Sequence, residues 1–130
     1  MSINSEKPFI PCKIAILTVS DTRSVKEDES GRILEERIKS SGHKLVAKEL
    51  LKDNFDQIVS QLQDWINSKN IEVVITTGGT GLTSRDVTPE AFQIVCEKPI
   101  EGFGELFRWI SYQKIGTSTI QSRATAGVAN

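Results

Sequence analysis

The chain has 130 residues and a mass of 14.4 kDa, which is the size of one domain and excludes two stacked domains. Its 16 Lys and Arg against 17 Asp and Glu leave a net charge of −1, so a nucleic-acid binder is not expected. A hydrophobic share of 38% with 25% charged residues is typical of a folded chain. No apolar run approaches the roughly 18 residues of a membrane span. We therefore expect a cytoplasmic protein without a membrane partner.

The first residues are polar and differ from the rest of the chain. Pro8 and Pro11 disfavour regular structure. We therefore predict an N-terminal arm over 1–11, followed by a single domain over 12–130.

The first half of the domain alternates strands and helices. Residues 13–19 are apolar on both alternating faces, as in a strand buried in a parallel sheet. A helix is predicted over about 30–41, and Gly42 is placed to end it in a left-handed conformation. A weaker strand over 45–51 and a strongly amphipathic helix over 55–66 follow.

A second buried strand over 71–76 continues the alternation. Thr88 is predicted to cap the next helix, with Pro89 at its first position. Strands and helices that alternate in this way imply right-handed crossovers and a mostly parallel sheet with helices on both faces. The sequence therefore predicts an α/β fold.

The last third of the chain predicts one more helix and one more strand. An amphipathic helix is expected after a turn at Gly102 and Gly104, with Trp109 on its apolar stripe packing in the core. Small residues over 124–129 indicate a strand. Since Asn130 is typical of a hairpin turn, we expect this strand to lack its hairpin partner.

A glycine-rich segment follows the second buried strand. Thr77, Gly78, Gly79, Thr80 and Gly81 combine hydroxyl donors with backbone N–H groups that an anion can approach closely. Ligands of doubly wound sheets bind beyond the carboxyl ends of the strands. The segment is thus a candidate phosphate site, and the alternative is a tight turn needed only for backbone geometry.

Two aspartates are candidate metal ligands. Asp86 lies beside Arg85 on the same loop, and an acid next to a phosphate cradle is favourable when Mg²⁺ bridges the two. The alternative for Asp86 is a turn cap. Asp53 has the same ambiguity, because it lies where it could cap the following helix or act as a second metal ligand.

Three further polar residues are weaker candidates. Glu105 is predicted near the start of a helix, where an acid is stabilised by the dipole alone. Ser122 and Arg123 are candidates for a bidentate phosphate clamp, and the alternative is a solvated surface charge.

Taken together, these motifs resemble a known family. Its members share the residues Thr77–Gly81, Arg85–Glu90 and Gly102–Glu105, with Ser20 and Asp21 after the first strand. The chain resembles, from about Phe9 to Asn130, the molybdenum cofactor biosynthesis family of MoaB proteins and molybdopterin adenylyltransferases. Ile115–Thr119 and Ser122–Asn130 are most similar to the MoaB branch.

The resemblance implies a three-layer α/β/α sandwich on a mostly parallel, mixed five-stranded sheet, assembled as a trimer or a hexamer. It implies Mg²⁺-dependent transfer of AMP from ATP to the terminal phosphate of molybdopterin, with release of pyrophosphate. Other enzymes of the pathway are further partners that the resemblance suggests. Asp53 and Asp86 match the family's two functional aspartates, expected to be catalytic and to bind the metal. The expected ligand-binding residues are Ser20, Asp21, Thr77, Gly78, Gly79, Thr80, Gly81, Glu105, Ser122 and Arg123.

Two comparisons with the family pattern qualify this activity. The family continues past the position of Asn130 with a strand, a Pro-Gly turn and a helix, so we expect a chain ending there to be unstable or inactive. Some MoaB-branch proteins lack the Arg-Asp pair, whereas this chain has Arg85 and Asp86, which favours an enzyme. The alternative is a non-catalytic molybdopterin-binding or scaffold protein of the same pathway.

Overall fold

A computed structural model describes residues 3–130, apart from the side chain of Val25. Of the predicted arm over 1–11, residues 1 and 2 lie outside the described part. Residues 3–12 form no helix or strand.

Helices and strands alternate along the chain as the sequence pattern predicts. The elements are β1 (Lys13–Val19), α1 (Glu29–Ser40), β2 (Lys44–Leu51), α2 (Phe55–Ile66), β3 (Val73–Thr77), α3 (Thr88–Val95), β4 (Lys98–Pro99), α4 (Glu101–Ile115) and β5 (Gly127–Val128). Two 3₁₀ segments, Val25–Glu27 and Gly116–Gln121, precede α1 and follow α4.

β1 is the centre of a parallel sheet with the order β2-β1-β3. Its side chains alternate between two apolar layers, as the period of a strand requires. On one face Ala15, Leu17 and Val19 pack against α2 and α3. On the other face Ile14 and Ile16 pack against α1. The α/β class with a mostly parallel sheet between helices is thereby confirmed.

Capping side chains and a glycine explain where α1 and α2 begin and where α1 ends. Asp28 accepts a hydrogen bond from the N–H of Gly31 at 2.9 Å and so caps α1. Gly42, with φ +86°, follows its last turn in the predicted left-handed conformation. Asn54 caps α2 through the N–H of Gln57 at 3.0 Å. The carboxylate of Asp53 is therefore not used for capping.

Two predicted helix starts are wrong. Thr88 is the first residue of α3 and Pro89 the second, while Val87 holds the cap position. Thr88 does not cap because its hydroxyl donates to the carbonyl of Gly78 at 3.0 Å. Gly102 and Gly104 lie inside α4, which already begins at Glu101.

The predicted C-terminal strand is short, and it has a partner. β5 covers two residues of the predicted 124–129 and pairs antiparallel with β4. The backbone carbonyls of Ser122 and Ala124, before β5, accept hydrogen bonds from the guanidinium of Arg108 at 3.3 and 3.0 Å and so do not pair with another strand. The described strands thus form a three-stranded and a two-stranded sheet rather than one five-stranded sheet.

The apolar side chains of α4 are exposed, so the prediction that Trp109 packs in the core is wrong. Trp109 is 66% exposed, whereas Trp65 on α2 is 7% exposed. The exposed apolar residues of this helix are Phe103, Leu106, Phe107, Trp109, Ile110, Tyr112 and Ile115. We call them the α4 apolar surface. Periodicity predicted an apolar face correctly but says nothing about what covers it.

Within residues 3–130, no helix combines the length and the hydropathy that a membrane span requires.

Candidate functional site

The carboxyl ends of the three parallel strands lie along one edge of the sheet. Asp21 follows β1, Asp53 follows β2, and the glycine-rich segment Thr77–Gly81 begins at the last residue of β3. The backbone N–H of Asp53 donates to Asp21 Oδ1 at 2.9 Å, which links the first two loops. Residues far apart in sequence thus meet at the edge where α/β folds bind ligands.

The glycine segment is held close to the ends of β1 and β2. Gly78 and Gly79 have φ +97° and +68°, a region that L side chains rarely adopt. A Cβ on Gly78 would lie 2.0 Å from the carbonyl oxygen of Val19. A Cβ on Gly79 would lie 2.3 Å from Thr88 Oγ1 and 3.2 Å from Asp53 Oδ1. The segment therefore requires glycine at both positions.

Thr88 fixes the conformation of Gly78 and Gly79, a role that the sequence did not predict. Its hydroxyl donates to Gly78 O, and its N–H donates to Gly79 O at 3.1 Å. The residue is 1% exposed. A threonine before Pro89 is also the pattern of a helix cap, so the sequence contained no signal that separates the two roles.

Asp86 closes the turn that follows the glycines. Its Oδ2 accepts hydrogen bonds from the N–H of Thr83 at 3.0 Å and from Thr83 Oγ1 at 2.7 Å. These bonds hold the pKa of Asp86 below its usual value, so the carboxylate is ionised at neutral pH. The same oxygen lies 2.8 Å from the place of a Cβ on Gly81. Asp86 therefore caps a turn, as one interpretation predicted, and also faces the glycine segment.

Arg123, near the C-terminal end of the chain, forms hydrogen bonds to this loop. Its Nε donates to the carbonyl of Gly81 and its Nη2 to the carbonyl of Asp86, both at 2.7 Å. Its Nη1 donates to the carboxylate of Glu90 on α3. The guanidinium is thus bound to protein acceptors, and a contact between Arg123 and a ligand remains a prediction.

The ion pair of Glu90 with Arg123 gives stability a testable pH dependence. Arg123 holds the pKa of Glu90 below its ordinary value of 4.5, so this contribution is present above about pH 4.5 and lost as pH falls through the lower folded-state pKa. We expect Glu90→Gln to lower stability at pH 7 by about 1 kcal/mol or less, since both side chains are partly exposed. Melting curves at pH 7 and pH 3 measure this.

The control for that prediction is Glu97→Gln, an exposed carboxylate with no ion pair among residues 3–130. Its melting temperature should follow the unmodified chain at both pH values. An equal deficit of Glu90→Gln at both pH values would contradict the role of the ion pair.

Asp21 and Arg85 form an ion pair between the β1 loop and the glycine-rich loop. Arg85 donates from Nε and Nη2 to Asp21 Oδ2. The N–H of Asp53 and this guanidinium lower the pKa of Asp21. Arg85 is exposed, with 71% of its side chain accessible, so the pair lies at the surface of the site.

Asp53 has the opposite electrostatic environment. Burial raises its pKa, and the negative charges of Asp21 and Asp86 add to this effect. A nearby cation would stabilise the ionised form of a carboxylate in that position. Because Mg²⁺ is usually held by one or two carboxylates with waters and substrate phosphates, Asp53 and Asp86 beside the glycine segment fit such an ion. No group of three or more acidic, His or Cys side chains among residues 3–130 forms a complete metal site.

Other predicted residues are less closely associated with this edge. Ser20 and Thr77 line a cleft beside Gly78. Ser122 is connected through its backbone carbonyl to Arg108. Glu105 is exposed in the second turn of α4, and no hydrogen bond in the described part of the chain links it to the glycine segment.

A larger groove, about 410 Å³, lies at the other end of β3. Trp65, Phe92 and Val95 give it apolar walls, and Ile71 and Glu72 place it at the amino end of the strand. Its polar lining is Asn67, Ser68, Lys69, Glu72 and Asn130, and it contains neither a glycine-rich segment nor a pair of aspartates. The edge with Asp53, Asp86 and the glycine segment is therefore the candidate site.

The geometry defines the class of the protein as an α/β domain with a glycine-rich loop and two carboxylates at the carboxyl edge of its sheet. The family described as "Probable molybdopterin binding domain" matches residues 15–129. The chain therefore belongs to this molybdopterin-binding family.

Similar proteins agree with that assignment. Molybdenum cofactor biosynthesis protein B of Escherichia coli (strain K12) is 50% identical over 122 residues, covering 94% of this chain and 72% of that protein. A crystal structure of a molybdenum cofactor biosynthesis protein B has a TM-score of 0.89 and 42% identity, covering 95% of this chain and 77% of that chain. The tungsten cofactor synthesizing protein MoaB from Pyrococcus furiosus has a TM-score of 0.82 and 36% identity, covering 92% and 74%.

Proposed function

We propose that this chain binds molybdopterin and, with Mg²⁺ and ATP, transfers AMP to its terminal phosphate. Membership of the molybdopterin-binding family and its relatives named for molybdenum cofactor biosynthesis support this pathway and molybdopterin as the substrate. The observation that carries the finer proposal is the position of two acidic side chains: Asp53 Oδ1 and Asp86 Oδ2 lie 3.2 and 2.8 Å from the places of a Cβ on Gly79 and Gly81. Their negative charge lies against a loop suited to phosphate.

The reaction joins two phosphates and needs no protein nucleophile. An oxygen of the terminal phosphate attacks the α-phosphorus of ATP, the bond to the bridging oxygen breaks, and pyrophosphate leaves with the electron pair. The work of the protein is positioning and charge neutralisation. When bound by Asp53 and Asp86, Mg²⁺ would neutralise charge on the nonbridging oxygens.

The remaining roles follow from the contacts of each residue. Backbone N–H groups of Gly78–Gly81 and the hydroxyls of Ser20, Thr77 and Thr80 are proposed to bind phosphate oxygens. The ionised carboxylate of Asp21 accepts hydrogen bonds only, so we propose that it contacts N–H groups of the pterin. Arg123 is a positioning residue, because it holds the carbonyls on both sides of the Gly81–Asp86 turn. Direct ligand contacts of Glu105, Ser122 and Arg123 are proposed from the sequence alone.

A second candidate function is binding of molybdopterin without catalysis. The two charged side chains that hold this loop are engaged within the protein: Asp86 accepts a hydrogen bond from Thr83, and Arg123 donates one to Glu90. These observations favour a protein that holds the pterin for another enzyme of the pathway.

Pyrophosphate release distinguishes the two functions. The purified chain is incubated with molybdopterin, ATP and Mg²⁺, and each component is omitted in turn. Adenylylation predicts release that requires all three components. Tight molybdopterin binding without release would support the non-catalytic function and overturn the proposed reaction.

We also propose that copies of this chain associate through the α4 apolar surface, as a trimer or a hexamer. Ile110 and Leu106 lie one turn apart at its centre and are 49% and 56% exposed. Exposed apolar patches of this kind mark interaction sites. We expect Ile110→Glu to convert the assembly to monomers in sedimentation velocity, because a charge would be buried without a partner.

Gln93→Glu is the matched control for this prediction, since it adds the same charge at an exposed position of α3. It should leave the assembly unchanged. A monomeric unmodified chain, or an Ile110→Glu variant that still assembles, would contradict the interface.

A further inference from the structure

We propose that Arg23, with hydroxyl groups from three segments, forms a second compartment of the site that binds a phosphate group directly, without a metal ion. This inference rests on the proposed function, because it concerns the same substrates. It assigns a ligand contact to Arg23, Thr22 and Ser30, which none of the sequence motifs indicated.

The compartment is a cleft of about 270 Å³ beside the glycine segment. It lies where β1 and β3 end and α1 begins. A water molecule in the liquid takes about 30 Å³, so the cleft has room for a phosphate and part of the molecule that carries it. Its polar lining consists of Thr18, Ser20, Thr22, Arg23, Ser30 and Thr77, next to Gly78.

The guanidinium of Arg23 has donors to spare. Its one hydrogen bond in the described part of the chain runs from Nη1 to Ser30 Oγ at 3.3 Å, and it has no ion pair there. A guanidinium has five N–H donors. By contrast, Arg85 is paired with Asp21, and Arg123 is bound to Glu90 and two carbonyls.

Two acidic groups that neighbour residues of the cleft are already engaged. Asp28 is 5% exposed and accepts hydrogen bonds from Thr18 Oγ1 at 2.8 Å and from the N–H of Gly31. Asp21 is paired with Arg85. Serine and threonine hydroxyls can donate to phosphate oxygens, and charge-assisted bonds from a guanidinium strengthen the binding.

Gly78 and Gly79 thus separate two environments with different requirements. Beside Asp53 and Asp86, a phosphate needs a cation to offset the carboxylates. Beside Arg23, the protein itself provides the positive charge. A substrate with two phosphate positions would place one in each compartment, which fixes its orientation along the loop.

Binding measured without divalent cations isolates the Arg23 compartment. Inorganic pyrophosphate is titrated into the protein in EDTA at constant ionic strength, using the unmodified chain, Arg23→Gln and Lys26→Gln. Lys26→Gln removes the same charge from an exposed position three residues away that does not line the cleft. Parallel titrations with ATP and with molybdopterin identify whose phosphate the compartment accepts.

We expect Arg23→Gln to weaken pyrophosphate binding about tenfold or more, as for loss of a hydrogen bond to a charged group, and Lys26→Gln to leave it nearly unchanged. The phosphate source is the ligand, ATP or molybdopterin, whose affinity falls in parallel. No binding of pyrophosphate in EDTA, or equal weakening by both variants, would overturn the proposal. Since the titration involves no AMP transfer, its result is independent of whether the chain is an enzyme.

Discussion

Asp86→Asn is expected to slow AMP transfer by about 100-fold or more while the fold stays intact. The asparagine side chain has the same shape, and its oxygen can still accept the hydrogen bonds from Thr83 that close the turn. What it loses is the negative charge that would bind Mg²⁺, an electrostatic contribution of about that size in rate. The measurement is the rate of pyrophosphate release at saturating substrates, together with a melting curve.

Asp64→Asn is the matched control for this charge, because Asp64 is exposed on α2, away from the glycine segment. Its rate should equal that of the unmodified chain. If Asp86→Asn also retains the full rate, Asp86 serves only to cap its turn, and the metal assignment fails.

Gly79→Val should abolish ligand binding and also lower stability substantially. The valine would have to adopt φ +68°, and its Cβ would lie 2.3 Å from Thr88 Oγ1. Strained φ and overpacking each cost about 1–3 kcal/mol, so we expect a loss of about 3 kcal/mol or more. For a domain of this size that corresponds to a fall in melting temperature of about 10 °C. The sequence predicted a candidate phosphate site at this segment but not this packing.

Gly102→Ala tests whether the effect belongs to the loop rather than to glycine replacement in general. A Cβ on Gly102 would meet nothing within 4 Å, and this residue lies in α4, where alanine is favoured over glycine by about 0.5–1 kcal/mol. It should melt at the same or a higher temperature and bind normally. A Gly79→Val variant with normal melting and normal molybdopterin binding would show that the segment is not a ligand site.

Local patterns predicted the frame of the fold well. The strand over Lys13–Val19, the amphipathic helix over Phe55–Ile66 and the helix end at Gly42 all depend on neighbouring residues or on burial. Periodicity and glycine conformation are therefore sufficient to find them. The same reasoning found the glycine segment at the edge of the sheet where ligands bind.

Contacts between distant residues were beyond such patterns. The hydroxyl of Thr88 on Gly78, the pair of Asp21 with Arg85, and the three bonds of Arg123 each join segments that meet only in the folded chain. Asp53 was ambiguous for the same reason. Only the structure shows that Asp53 does not cap α2, because the side chain of Asn54 accepts the capping hydrogen bond from the N–H of Gln57.

The exposure of Trp109 illustrates a different limit. Its apolar stripe was read correctly, but a sequence pattern cannot distinguish burial within one chain from burial between chains. In the proposed assembly, a second copy of the chain covers the α4 apolar surface. The hydrophobic periodicity of one chain carries no signal for that partner.

Mass analysis of molybdopterin after incubation with the chain tests the central proposal most directly. The unmodified chain with Mg²⁺ and ATP is predicted to add one AMP to the pterin phosphate, and the Asp53→Asn variant to leave the pterin unmodified while still folding. Molybdopterin that binds to the unmodified chain but never acquires AMP would contradict the account and favour a non-catalytic carrier.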